Sequence, residues 1–166
     1  MTKEKAILYI YGSGGNRSEM QRLFHHIDKE LVVDSNIKHI SIYDNGDILN
    51  CINYGYEMPI IRDKYSRFKT FKNILTNPYK IISILFELKS KYNVRVILST
   101  GPGISILPVI FFKFFNSTKT IHIETECMFT RKTLSGNILH YLVDKFYVPN
   151  KQLLKIYKNS IYSGQL

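Results

Sequence analysis

From Ala6 to Tyr11 the chain is apolar at every position, and at Gly12-Ser13-Gly14-Gly15 the run stops. Beyond the glycines, Met20, Leu23, Phe24 and Ile27 recur at i, i+3, i+4 and i+7, the stripe of a helix buried on one side. A strand, a tight turn and a helix are therefore predicted. Asn16 with Glu19, or Ser18 with Gln21, has the spacing of a capping box at the helix start. The same alternation continues down the chain. Ile37–Tyr43 reads as a second strand closed by the Asp44-Asn45-Gly46-Asp47 turn, and Cys51–Ile61 leaves room for a short third. Pro78 is the expected first residue of a helix to Lys91, with Ile81, Ile82, Leu85 and Leu88 inward. Val94–Ser99 is a buried strand, Thr100-Gly101-Pro102-Gly103 a sharp turn, and Ile104–Phe115 an apolar helix. Lys119–Glu124, Phe146–Val148 and Ser160–Ser163 read as strands, and Ser135–Asp144 and Lys151–Tyr157 as helices.

Strands alternating with helices specify an α/β fold, a Rossmann-like parallel sheet with helices on both faces. Residues 1–166 are read as a single domain, since the length accommodates one such unit and not two. In an open sheet of this kind, ligands bind beyond the carboxyl ends of the strands. Gly12–Asn16, Thr100–Gly103 and Glu124–Lys132 all fall at such ends and are expected to converge on one edge.

The glycine loop meets neither familiar nucleotide fingerprint. Gly12 and Gly14 suit a dinucleotide loop, but its third glycine is replaced by Arg17, and no Lys-Ser or Lys-Thr follows as a triphosphate loop requires. Two readings remain. Glycines that admit an anion to backbone N–H groups and a helix N-terminus form one, and a tight turn with no ligand forms the other. The second loop, with Ser99, Thr100, Gly101, Gly103 and Ser105, again offers N–H groups and hydroxyls. In the third, Glu124 or Glu126 could serve as general base toward a substrate hydroxyl while Arg131 and Lys132 grip a diphosphate. A capping or ion-paired glutamate is the alternative. His25 and His26 diverge by about 100° on a helix and His122 is expected to face the sheet, so no metal site is read.

Charge adds a partner to the picture. The chain carries a formal +10, much of it in Arg62–Lys80, where cations alternate with Tyr65, Phe68, Phe71 and Tyr79. That mixture fits an anionic membrane surface, single-stranded nucleic acid, or a solvated basic face. The helix Ile104–Phe115 is either buried or partly sunk in a membrane interface, being too short to span. No run of about 18 apolar residues and no signal peptide is evident, and Cys51 and Cys127 stand apart without a C-x-x-C partner. A reducing cytoplasmic setting is expected.

Several motifs occur in a fixed order: Gly-Ser-Gly-Gly with Ser18-Glu19-Met20, then Thr100-Gly101-Pro102-Gly103, Ile123-Glu124-Thr125, and Thr133-Leu134-Ser135-Gly136-Asn137-Ile138-Leu139. With the tail DKFYVPNKQLLKIYKNSIYSGQL, this set resembles the acceptor and anchor subunit of the two-part N-acetylglucosaminyltransferase of dolichol-linked oligosaccharide synthesis. It is closer to the bacterial PssD-like glycosyltransferase subunits of capsule and exopolysaccharide synthesis. The resemblance implies a domain equivalent to the N-terminal half of a GT-B glycosyltransferase. It further implies a polyprenyl-diphosphate-linked sugar acceptor, a separate small subunit holding a UDP-sugar donor, peripheral contact with the inner face of the cell membrane, no cofactor and no nucleic acid. On this basis Gly12, Ser13, Gly14, Gly15, Asn16, Thr100, Gly101, Gly103, Arg131 and Lys132 face the acceptor diphosphate, and Glu124 or Glu126 is the catalytic base. A non-catalytic scaffold that recruits its partner to the membrane is the alternative function. Two positions depart from the family pattern. Asn16 stands where histidine is usual, and Met128 stands where arginine is usual, with Arg131 one turn away.

Overall fold

A computed structural model of the chain describes residues 3–30, 36–44, 46, 48–49, 52, 54–59, 67–101 and 103–164. Strands β1 (Glu4–Tyr11), β2 (Lys38–Tyr43), β3 (Tyr54–Glu57), β4 (Tyr92–Ser99), β5 (Lys119–Ile123), β6 (Lys145–Val148) and β7 (Ile161–Tyr162) are joined through helices α1 (Gly15–Glu30), α2 (Arg67–Lys91), α3 (Ile106–Asn116) and α4 (Leu134–Leu142). Among the described residues the strands form one sheet in the order β3-β2-β1-β4-β5-β6-β7. Every neighbouring pair is parallel.

The unbroken apolar run of β1 fits the centre of a parallel sheet, which is covered on both faces. Leu8 lies opposite Ile40 and Ile10 opposite Ile42, while on the other side Leu8 meets Ile97. Successive side chains point to opposite faces. Leu8 and Ile10 join Leu85, Val109, Phe112 and Leu139 in the larger core. Tyr9 and Tyr11 join Met20 and Phe24 of α1 in the smaller one. Right-handed crossovers explain the division, because α1 leads from β1 toward one edge of the sheet while α2, α3 and α4 lead toward the other.

Several element boundaries differ from those predicted. Helix α2 begins at Arg67 and runs through Pro78, which therefore lies inside the helix rather than opening it. Proline favours a first turn but does not require one; inside the helix it removes one N–H donor without ending the element. The turn after Gly101 enters α3 through a short 3-10 segment, Gly103–Ser105, and Lys151–Lys155 is likewise 3-10 rather than α. Helix α4 starts at Leu134 because Thr133 caps it, its Oγ1 accepting from the Gly136 N–H at 2.8 Å. The last strand narrows to Ile161–Tyr162. The Asn16–Glu19 capping box does not form, since the Glu19 carboxylate is engaged across the sheet edge instead.

Candidate functional site

Strands β1, β4 and β5 are neighbours in a parallel sheet, so the loops that leave their carboxyl ends share one edge. Gly12–Asn16, Thr100–Gly103 and Glu124–Lys132 do come together there, with Pro102 outside the described residues. Direct bonds join them. The Thr100 N–H donates to Ile10 O at 3.1 Å, and its hydroxyl donates to Asn16 O at 2.9 Å. A Cβ on Gly101 would stand 3.1 Å from Ile10 O and Tyr11 Cα, so glycine lets the second loop lie against the end of β1. Gly14 has φ +68°, the left-handed region, and turns the chain into α1.

The glycine loop is not empty of charge. Its Ser13 N–H donates to Asp44 Oδ1 at 2.7 Å. Asp44 follows β2, next to β1 in the sheet, and its sequence context shows only a turn. Its position at a strand's carboxyl end was the signal that could have found it.

Glu124, just after β5, is 2% exposed. Its Oε2 accepts from the Tyr157 hydroxyl at 2.6 Å and from Thr133 Oγ1 at 2.9 Å, and its Oε1 accepts from the Thr125 N–H at 3.0 Å. Tyr157 in turn accepts from the Thr133 N–H at 3.1 Å. Burial, and then the neighbouring Glu124 carboxylate, raise the Tyr157 phenol above its ordinary range. Gly136 sits against this cluster, where a Cβ would collide with the Glu124 carboxylate, the Tyr157 hydroxyl and Thr133 Oγ1. Thr133, Gly136 and Tyr157 therefore belong to the site, although only their motif and not their role was visible in the sequence. As arranged, the carboxylate binds the third loop to the start of α4 and is closed to a substrate hydroxyl.

Glu126 lies nearer the surface and is ion-paired with Arg22 of α1 at 2.6 Å. Glu19, one turn earlier on α1 and 3% exposed, accepts from Thr125 Oγ1 at 2.9 Å and from the Glu126 N–H at 3.0 Å. His122 faces the sheet interior beside Ser99 Oγ at 3.2 Å, and burial lowers its pKa to about 3, keeping the ring neutral. Arg131 and Lys132 are exposed at the outer end of the third loop. Lys132 Nζ lies 3.4 Å from Asn137 Oδ1 and 5.2 Å from the Tyr157 ring centre.

Helix α3 is buried on one side only. Pro108, Val109 and Phe112 enter the core, while Ile110, Phe115 and Phe114, the last 86% exposed, face outward. Phe86 of α2 continues this apolar face, its ring centre 5.1 Å from that of Phe111. Leu134, Ile138 and Tyr141 line the outer side of α4. Among the described residues no helix is long and apolar enough to cross a membrane. Of the basic segment Arg62–Lys80, residues 62–66 lie outside the described residues.

The fold is shared with solved structures. Acinetobacter baumannii MurG superposes with a TM-score of 0.60 at 9% identity, covering 98% of this chain and 44% of that one. The Staphylococcus aureus MnaA–UDP structure superposes with 0.60 at 15%, covering 97% and 44%. The chain thus spans less than half of either structure and has the fold of a GT-B N-terminal domain. In sequence it is 26% identical to UDP-N-acetylglucosamine transferase subunit ALG14 of Kluyveromyces lactis, covering 96% of this chain and 78% of that protein. The same-named protein of Debaryomyces hansenii is 29% identical, with 96% and 75% covered. The profile of the family described as "Oligosaccharide biosynthesis protein Alg14 like" matches residues 7–166, and across that span, which includes all three loops, the chain belongs to the Alg14-like family.

Proposed function

We propose that this chain is the acceptor-side subunit of a two-component glycosyltransferase. A separate small subunit holds the UDP-sugar, and this chain presents a polyprenyl-diphosphate-linked sugar at the inner face of the membrane, in capsule or exopolysaccharide synthesis. The observation that carries the reading is the convergence of three strand-end loops on one edge of a GT-B N-terminal-type sheet. In a two-domain enzyme of that fold the facing domain would complete the cleft. The names of the Kluyveromyces and Debaryomyces relatives make UDP-N-acetylglucosamine the first donor to try.

Within this reading the N–H groups around Gly12, Gly14, Gly15 and Asn16, with the hydroxyl and glycines of Thr100, Gly101 and Gly103, border the acceptor diphosphate, and Arg131 and Lys132 offset its charge. At Ser13 the diphosphate would compete with Asp44 for the N–H. Glu126, at the crevice rim, is better placed than the enclosed Glu124 to receive a proton from the acceptor hydroxyl. The outward rings of α3 and Phe86 supply an apolar face for peripheral contact with lipid.

A scaffold reading has one observation in its favour: every described polar neighbour of Glu124 serves to hold the fold. A scaffold keeps its effect when Glu126 becomes Gln and loses it when Tyr162–Leu166 are removed. An acceptor subunit that supplies the base loses turnover by about 10²-fold with Glu126→Gln. The experiment that tests the reading as a whole is sugar transfer to membrane lipid by the pair against each subunit alone.

A further inference from the structure

Helix α1 holds the third loop through two side chains one turn apart. Glu19 Oε1 accepts both the Thr125 hydroxyl and the Glu126 N–H, and Arg22 pairs with the Glu126 carboxylate, across 106, 107 and 104 residues of sequence respectively. The carbonyl of Asn16, at the start of the same helix, receives the Thr100 hydroxyl of the second loop. The three loops are thus fastened to one rigid element.

We propose that Glu19 is a positioning residue of the site: its buried carboxyl fixes the Thr125–Glu126 segment against α1 and so presents Glu126 to the acceptor. A carboxyl 3% exposed is not needed for the fold of α1, whose inward stripe is already apolar. A leucine there would pack without the desolvation that a buried acid incurs. Its second oxygen has no hydrogen-bond partner among the described residues. Only Oε1 does the holding, and a neutral acid can do that as well as a carboxylate. Burial raises the Glu19 pKa, opposed by the Glu126 N–H and the Thr125 hydroxyl; the Glu126 charge adds to the rise and Arg22 reduces it. An amide, which keeps one carbonyl oxygen, should therefore replace the acid.

The inference rests on the acceptor-subunit reading for its consequence but not for its geometry, and the two are tested separately. Amide hydrogen exchange on the full chain reads the geometry. Glu19→Ala should speed exchange of the Glu126 N–H by about tenfold, while Glu19→Gln stays within about threefold of the parent. Transfer by the reconstituted pair reads the consequence. Glu19→Ala should lower kcat by about tenfold with the acceptor KM little changed, Glu19→Gln should restore it, and adding Thr125→Val to Glu19→Ala should cost nothing further. Should Glu19→Ala not fold, Thr125→Val alone, which removes one of the two donors, should show a smaller change of the same kind. A Glu126 amide that stays protected without Glu19 overturns the proposal. So does an unchanged kcat of Glu19→Ala in an active pair. Exchange that responds as expected in a pair with no transfer leaves the positioning contact standing and removes the function instead.

Discussion

The Tyr157 hydroxyl, two residues past the 3-10 segment Lys151–Lys155, donates to Glu124 Oε2 at 2.6 Å from 33 residues further along the chain. Through this bond the tail of the protein holds the carboxylate that follows β5. Removing the hydroxyl leaves a buried carboxylate oxygen short of a donor, so Tyr157→Phe should lower stability by about 1–3 kcal/mol. Chemical denaturation, compared with a Tyr162→Phe control at the exposed β7, checks this.

Glu124→Gln separates holding from catalysis. The amide presents an NH₂ where Tyr157 and Thr133 bring donors, so the midpoint of unfolding should fall and the transfer rate should fall only as far as folded protein is lost. A catalytic base in the same position would instead lose about 10²-fold in turnover with the midpoint unchanged. Thermal melting and transfer rate measured on one preparation distinguish the two.

His122 gives a pH dependence whose sign follows from its burial. The folded ring has its pKa lowered to about 3 from an ordinary 6.5. Above pH 6.5 neither state takes up a proton, and the ring makes stability independent of pH. Below it the unfolded chain binds a proton that the folded chain does not. Stability should then fall by about 1.4 kcal/mol per pH unit until the ring itself protonates near the folded value. Urea unfolding at pH 7.5, 6.5 and 5.5 should show a fall of about 0.3 and then about 1 kcal/mol from this ring, which His122→Asn should remove, while His140, also lowered by burial, keeps its own smaller contribution.

Much of this was readable from pattern, and what was not has identifiable physical causes. The unbroken run Ala6–Tyr11 and the glycines after it located β1 and the first loop, because a central parallel strand must be apolar throughout and its exit must be tight. Convergence of the three loops followed from alternation alone. Pro78 marks a boundary in the sequence because proline prefers a first turn, whereas helix α2 runs through it from Arg67. Glu19 was assigned to a capping box because its spacing fits one, whereas its partners Thr125 and Glu126 are close only once β1 and β5 take their places on either side of β4. Asp44 beside Ser13 and Tyr157 beside Glu124 are likewise pairings made by the sheet order and the return of the tail, which no local periodicity encodes.

The apolar face of α2 and α3 predicts lipid contact that does not depend on catalysis. Replacing Phe114 and Phe115, both exposed, by Ser should weaken co-sedimentation with anionic vesicles by about tenfold or more. The core should be unaffected, because Phe112 and Val109 face the other way. Equal binding by the double variant would move the contact elsewhere on the surface.

The central claim is that this chain is one half of a transferase, and sugar transfer to membrane lipid tests it most directly. Radiolabelled UDP-sugars, with UDP-N-acetylglucosamine first, would be offered to this chain alone, to its small donor-binding partner alone, and to both together. The account predicts transfer by the mixture far above either subunit, and the active donor identifies the sugar. Equal transfer by the partner with and without this chain would contradict it.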